Sequence, residues 1–502
     1  MLKCFLERML YGPRGLASVG VPIPLLGQHV ILYGDLHTLL ADGEGLAESF
    51  QWKGAGGIRV CFRHGNCLML NSDLATRVPG CVEIDCPNPA LFKAVSSATL
   101  AKDVKAICAA RRKVARGELG KTAAADYEKA AGLSVTPDGL LANDRLRDKA
   151  ARAFTYDWVH CALSNGTLAV EINQLVASGV PQLSWASMEA CFRLDWKFPK
   201  SRMLKGAQAW RVFAASRKSG DGDKVKASCS ELLNVYSILR HYVAVAFGSE
   251  GAPAHLRDQI ASFNACCDVV DWLLAAKRGM LAPGALAQGL QRKLQSHMQA
   301  HTLAYGTRLL IPKHHWLFDV AEHVIRDGML VDMFITERMH LTCKAIAEKI
   351  KDTETFEESV LRMRAYSQRA RLQKDGICDD AAKLLGNVRT LLEAGAATMS
   401  VAAAMVGSTG AQFSAGDIAV NHVTRCVGRL VSFMKAGGQV FVVVEMYVFQ
   451  RRLSSHTTVW KAAEGVARGV DGSEVLLTWP ATDVVLASAW YYTDAGRIVV
   501  VT

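Results

Sequence analysis

The stretch FTYDWVHCALSNG, residues 154–166, decides how this chain is read. It sets Asp157 near a helix start with His160 three residues further on. Two more acids stand in segments of similar character, Asp35 in HVILYGDLHTLL (residues 29–40) and Glu337 in FITERMHLTCKAIAEKI (residues 334–350). Carboxylates carried to one point by distant segments can hold divalent metal ions, and paired metals activate both oxygens of an in-line phosphoryl displacement. The expectation from these acids is a fold that processes DNA.

Composition narrows the classes. The chain has 502 residues, which favours two or three domains over one core. Half of the residues are hydrophobic and 21% are charged, which excludes a mainly disordered chain. A formal net charge of +11 favours a polyanionic partner, because lysine and arginine beside phosphates release condensed counterions. Nucleic acid fits better than a membrane, since no segment reaches the roughly 18 unbroken apolar residues of a spanning helix. The opening MLKCFLERMLYGPRG carries Glu7 and Arg8 inside its apolar run and does not read as a signal peptide. The expected setting is therefore intracellular, with the fourteen cysteines as thiols or metal ligands rather than disulfides.

Four regions follow along the chain. Residues 1–60 contain a β-like run at His29–Tyr33, with Asp35 just beyond it and a helix expected over Thr38–Phe50. Acids at strand ends project into the crevice where α/β proteins bind ligands, although Asp35 also suits a helix cap. Residues 61–150 form a looser Cys-containing and helical region. Residues 151–400 repeat apolar positions at three and four, as in TLAVEINQLVASG and ALAQGLQRKLQSHMQAH, and read as a helical domain. From 412 to 502 the period changes to that of strands broken by turns, as in QVFVVVEMYVFQ, giving a small antiparallel β domain expected to be barrel-like.

Other constellations are candidates for binding. In KGAGGIRVCFRHGNC (residues 53–67), Cys61, His64 and Cys67 are possible zinc ligands, although Cys-x5-Cys is wider than the two-to-four-residue separation of structural sites. His297 and His301 stand four apart, a spacing that suits zinc, but the sequence shows no third ligand. His314 and His315 are consecutive and point in different directions, which leaves one of them structural. In DWKFPKSRMLKGAQAWR (residues 195–211), Lys197, Lys200, Arg202, Lys205 and Arg211 lie among Trp196 and Trp210, the composition of a nucleic-acid surface.

FTYDWVHCALSNG, then PKHHWLFDVAEHV (residues 312–324), then FITERMHLTCKAIAEKI together resemble the framework of cut-and-paste DNA transposases of the CACTA and hAT-like groups. The resemblance spans about residues 30–350. It implies an RNase H-like core with an Asp/Asp/Glu triad, a Cys/Asp-x-x-His signature and a helical insertion before the last acid. Asp35 then matches the second triad acid, Asp157 and His160 the signature, and Glu337 the third acid, with Asp35 and Glu337 as Mg²⁺ ligands.

The fold class expected is mainly α with an α/β fragment: a partial RNase H-like core, a large helical insertion, and the small β domain. Thirty-four residues precede Asp35 and none is Asp, so the first triad acid is expected to be missing. The chain then reads as an N-terminally truncated transposase relic without activity, whose ancestral reaction is Mg²⁺-dependent DNA cleavage and strand transfer. Zinc is a further candidate cofactor, DNA and a second copy of the chain are candidate partners, and the nucleus is the expected location. A domesticated nuclear DNA-binding protein and a helical interaction scaffold remain open as alternatives.

Overall fold

The structure is a computed structural model. It describes residues 2–366 and 383–501 apart from residues 26–27, 74–76, 138, 164, 195, 200–205, 215–223, 248–250, 278–281, 334–345, 347, 349, 351–358, 361, 364–365, 386–388, 395–396, 407–411, 437–438, 455, 463–476, 482–483, 488 and 494–496. About half of the described chain is helical. It divides into two compact units, Met1–Glu171 with Ala261–Ile335, and Ile172–Ile260 with Thr336–Thr502. The stretch read as one helical region is thus shared between both.

In the first unit, helix α1 (Leu2–Leu6) continues as a π-helical turn over Glu7–Tyr11. Strands β1 (Val21–Leu25) and β2 (Gln28–Leu32) form an antiparallel hairpin. Strand β3 (Leu39–Ala41) is followed by α2 (Gly43–Phe50). The helix expected from Thr38 therefore starts later, because Leu39–Ala41 are drawn into an extended pairing, parallel, with β6 (Phe154–Tyr156). Asp42 ends the strand and starts the helix: its side chain accepts the Gly45 amide at 2.7 Å, filling one of the donors that an N-terminus leaves open.

Short strands β4 (Cys67–Leu68) and β5 (Val82–Glu83) pair in parallel. Two helices follow, α3 (Ser97–Ala115) and α4 (Lys121–Ala131), with Gly117 and Gly120 between them. One glycine of the run before Cys61, Gly57, has a packing cause. Gly132 ends α4 with φ +65°, and a Cβ there would lie 2.3 Å from the Arg59 carbonyl oxygen. A Cβ on Gly57 would meet Gly132 Cα at 3.0 Å, so two backbones pass where side chains do not fit.

The core of this unit is aromatic. β6 buries Phe154, Thr155 and Tyr156 in succession. Phe154 stacks on Phe62 with ring centroids 4.5 Å apart, and Tyr156 stacks on Trp316 at 5.1 Å. Trp52 meets Phe154 and Trp316 edge-on at 5.4 and 5.0 Å. Burying each such ring contributes on the order of 2–3 kcal/mol, so this cluster fixes the segments around it more firmly than their own propensities do. Helices α5 (Asp144–Ala153), α6 (Trp158–Ala162) and α7 (Thr167–Ala177) follow in sequence, and α11 (Pro283–Tyr305) and α12 (Pro312–Asp327) pack against each other.

The second unit holds α8 (Trp185–Phe192), a 3-10 segment at Gly206–Phe213, α9 (Cys229–Ala246) and most of the strands. α9 begins at a capping box in which Ser228 and Glu231 exchange side-chain-to-backbone bonds. Helix α10 (Ala254–Lys277) carries the chain from this unit into the first. Of the remaining strands, β7 (Lys383–Leu385), β10 (Ala404–Val406) and β11 (Gln412–Ser414) make a small antiparallel sheet. The large one is antiparallel, with its strands in the order β17 (Val484–Leu486), β12 (Ile418–Asn421), β13 (Val427–Ala436), β14 (Gln439–Ser454), β15 (Thr457–Ala462), β19 (Arg497–Val501) and β18 (Ala489–Tyr492). β16 (Leu477–Pro480) joins β14, and the hairpin of β8 (Arg389–Ala394) with β9 (Ala397–Ala402) joins β13.

Two differences from expectation stand out. The end strands β17 and β18 do not pair, so among the described residues the sheet is open rather than a barrel. Strand structure also begins before residue 400, because β8 and β9 extend the sheet. Trp460, Trp479 and Trp490 are buried in the two clusters that line it.

Candidate metal centre

The centre is assembled from two short segments of opposite ends of the first unit. Cys61 and His64 lie on a turn after the glycine run, and the His64 amide donates to Cys61 Sγ at 3.2 Å, which closes the turn around the sulfur. His315 and Asp319 lie on α12 one turn apart and therefore share a face. Trp316 sits between them on the neighbouring face and donates from Nε1 to the Val60 carbonyl at 2.9 Å, setting α12 in register with the turn. Phe62, between Cys61 and Arg63, is locked in the aromatic core by Phe154. All four potential ligands are buried.

One donor atom from each of Cys61, His64, His315 and Asp319 lies within 4.8 Å of the others. Cys61 Sγ is 3.1 Å from Asp319 Oδ2 and 3.8 Å from His64 Nδ1, and His64 Nδ1 is 3.0 Å from His315 Nε2. A first-row ion bound tetrahedrally at about 2.0–2.3 Å holds its ligands roughly 3.3–3.6 Å apart, so these separations bracket those of a closed S, N, N, O set. The group can hold a metal ion.

The surroundings match that use. His64 turns its other nitrogen, Nε2, to Glu322 Oε1 at 3.2 Å, and Arg63 bonds Glu322 Oε2 at 3.1 Å. A carboxylate behind a ligating imidazole fixes its orientation and tautomer. Two buried atoms, Asp319 Oδ1 and His315 Nδ1, have no hydrogen-bond partner; for Asp319 Oδ1 the nearest cation is His64 Nε2 at 3.5 Å. In the metal-free chain, burial together with the Asp319 charge pushes the Cys61 thiol up to about 12. Burial opposes the His64 cation, but Asp319 and Cys61 outweigh it and raise His64 to about 11. Burial raises the Asp319 carboxyl. A bound dication inverts this order, since a coordinating thiol is deprotonated outright.

Asp157 and His160 come together beside this centre, where α6 packs against α12. Asp157 caps α6: Oδ2 accepts the His160 amide at 3.1 Å and faces His160 Nδ1 at 2.5 Å, and Oδ1 accepts the Met333 amide at 3.1 Å. Both oxygens thus order the local chain.

Asp35 stands elsewhere. It is exposed, accepts from Tyr11 OH at 3.0 Å and from the Leu36 amide at 2.7 Å, and pairs with Lys149. The strand before it belongs to the β1–β2 hairpin, outside the parallel pair. The acid at the end of the parallel strand is Asp42, which leaves the same end of the β3–β6 pair as Asp157, since Ala41 and Tyr156 are in register. Glu337 lies outside the described residues.

Cys67 is buried in β4 but is not among the four grouped residues; its expected place is taken by His315 and Asp319, which lie 251 positions beyond His64 and 258 beyond Cys61. The signal that could have found them is the His-x3-Asp spacing inside PKHHWLFD. Of the basic segment, Lys200, Arg202 and Lys205 lie outside the described residues. Lys197 is exposed, and its backbone bridges to Trp490. Arg211 is exposed 5.9 Å from the centroid of the Trp210 ring, and Arg193 covers that ring at 3.9 Å. Comparison of the chain with protein-family models, with curated proteins and with solved structures found no match.

Proposed function

We propose that the chain is a transposase-derived nuclear DNA-binding protein whose core is pinned by a zinc ion held by Cys61, His64, His315 and Asp319. One observation carries the reading: two of the segments that bear the transposase resemblance, residues 154–166 and 312–324, meet at the Cys61 turn. The Phe62 amide lies 3.4 Å from Tyr156 OH, Tyr156 stacks on Trp316, and Cys61 reaches Asp319. Zinc suits a mixed thiolate, imidazole and carboxylate set better than the oxygen-seeking Mg²⁺ does. Its part is structural, because the four protein donors leave no open position. The ancestral chemistry is Mg²⁺-dependent strand cleavage and transfer, with the strand-end acids Asp42 and Asp157 as its nearest remnants, together with Glu337. The net charge of +11 supports a polyanionic partner. No helix among the described residues is long and apolar enough to cross a membrane.

The test is binding of the full chain to fluorescent duplex DNA over a series of salt concentrations. The logarithm of affinity is expected to fall linearly with the logarithm of salt. Lys197→Glu with Arg211→Glu is expected to weaken binding equally on unrelated sequences. Affinity that is absent or indifferent to salt overturns the reading in favour of an interaction scaffold.

A further inference from the structure

We propose that His297, His301 and His314 form a second site for a divalent transition-metal ion, with Glu171 as the acid that orients the imidazoles. The site lies within the first unit and joins three helices: Glu171 on α7, His297 and His301 one turn apart on α11, and His314 in the first turn of α12. None of these side chains is used by the centre around Cys61. The inference does not depend on the DNA-binding reading.

The geometry is that of a ligand shell. One nitrogen from each histidine lies within 4.8 Å of the other two, and the His301 and His314 ring centroids are 4.6 Å apart. Glu171 Oε1 is 2.8 Å from His297 Nε2, 2.8 Å from His301 Nδ1 and 2.7 Å from Ser262 Oγ. Tyr305 OH lies 3.4 Å from Oε2. Glu171, His297, His301 and His314 are each at most 3% exposed.

The carboxylate selects the His301 tautomer. With Nδ1–H of His301 given to Glu171, its Nε2 carries a lone pair. His314 Nδ1 lies 3.2 Å from both the Ile311 amide and the Ile311 carbonyl; in the tautomer that donates to the carbonyl, its Nε2 carries a lone pair as well. Both Nε2 atoms are buried without a hydrogen-bond partner. Leaving such a group unsatisfied costs about 1–3 kcal/mol, so two bare imidazole nitrogens buried on rings whose centroids are 4.6 Å apart are unfavourable unless something accepts their lone pairs. A cation does so. An imidazole whose far nitrogen donates to a carboxylate or a main-chain carbonyl is the arrangement that metal-ligating histidines adopt. Three neutral imidazoles suit Zn²⁺, Co²⁺ or Ni²⁺, and the Glu171 charge partly balances the ion. Because His314 and His315 are consecutive on α12, their divergent directions place one in each centre, and the first turn of α12 joins the two.

The experiment uses the full chain reconstituted with Co²⁺, with bound metal counted by elemental analysis. The visible spectrum separates the centres: only the Cys61 centre gives a thiolate-to-cobalt charge-transfer band, whereas the histidine site gives ligand-field bands alone. The expected result is one equivalent of cobalt beyond that reported by the charge-transfer band. In His297→Gln with His301→Gln that equivalent is lost while the charge-transfer band stays. Glu171→Gln keeps hydrogen-bonding groups in place should the double variant not fold, and is expected to weaken the second equivalent about 10- to 100-fold. Bound cobalt that never exceeds the charge-transfer equivalent in the unaltered chain overturns the proposal, as does a second equivalent indifferent to all these substitutions. Loss of the charge-transfer band alone, with one histidine-dependent equivalent remaining, supports it.

Discussion

Asp319→Asn separates a metal ligand from a buried charge. The side chain is fully buried, and its neighbours stay satisfied without its charge: Arg63 keeps Glu322 at 3.1 Å and the Ala151 carbonyl at 3.2 Å, and His64 keeps Glu322 at 3.2 Å. The asparagine oxygen still accepts from the Cys61 thiol. In a chain stripped of metal, relief of a costly buried charge offsets part of what His64 and Arg63 lose, so the substitution is expected to cost less than the roughly 3–5 kcal/mol of breaking a buried ion pair outright. With metal the sum differs. A neutral amide is a poor ligand, and a hundredfold loss of affinity at saturating free zinc removes about 2.7 kcal/mol of linked stability. For a unit of this size that is roughly 5–11 °C in the melting temperature. Thermal melts of both chains, with excess zinc and with a chelator, read the difference directly. Equal losses in the two conditions would refute the role of Asp319 as a ligand.

Two further outcomes follow from the same geometry. Glu322→Gln removes the charge behind His64 without touching the ligands; metal affinity, measured by competition with a chromogenic chelator, is expected to drop about 10- to 100-fold while stoichiometry stays the same. His241, buried in the second unit beside Trp196, is held down to about 4 by burial. The unfolded chain takes up a proton there below about pH 6.5 while the folded chain does so only near 4. Stability is therefore full above pH 6.5 and is lost as pH falls toward 4, by up to about 3 kcal/mol. Urea midpoints across that range should flatten in His241→Gln, and an unchanged slope would assign the loss to other groups.

The helices were legible because their cause is local. Residues at three and four apart bury one face, and caps such as Ser228 mark their starts. Strands in the last ninety residues were legible for the same reason, but their partners were not: whether β17 meets β18 depends on contacts that alternation does not encode. Leu39–Ala41 fit a helix by local pattern, but their extension comes from pairing with Phe154–Tyr156, more than a hundred positions away. The same distant pairing is what puts Asp42 at a strand end. In the candidate centre, Cys61 and His64 are visible in the sequence, and nearness in sequence favours Cys67 over the distant ligands. His315 and Asp319 became neighbours only through the packing of Trp316 and Phe62 into one aromatic core. His297 and His301 had the right spacing, yet the groups that complete their cluster, Glu171 and His314, come from two other helices.

The most direct measurement is anomalous diffraction at the zinc edge from crystals of the full chain grown with zinc. A peak is expected about 2.0–2.3 Å from Cys61 Sγ, His64 Nδ1, His315 Nε2 and Asp319 Oδ2 together. No peak there, or one held instead by Cys67, would contradict a zinc-pinned core.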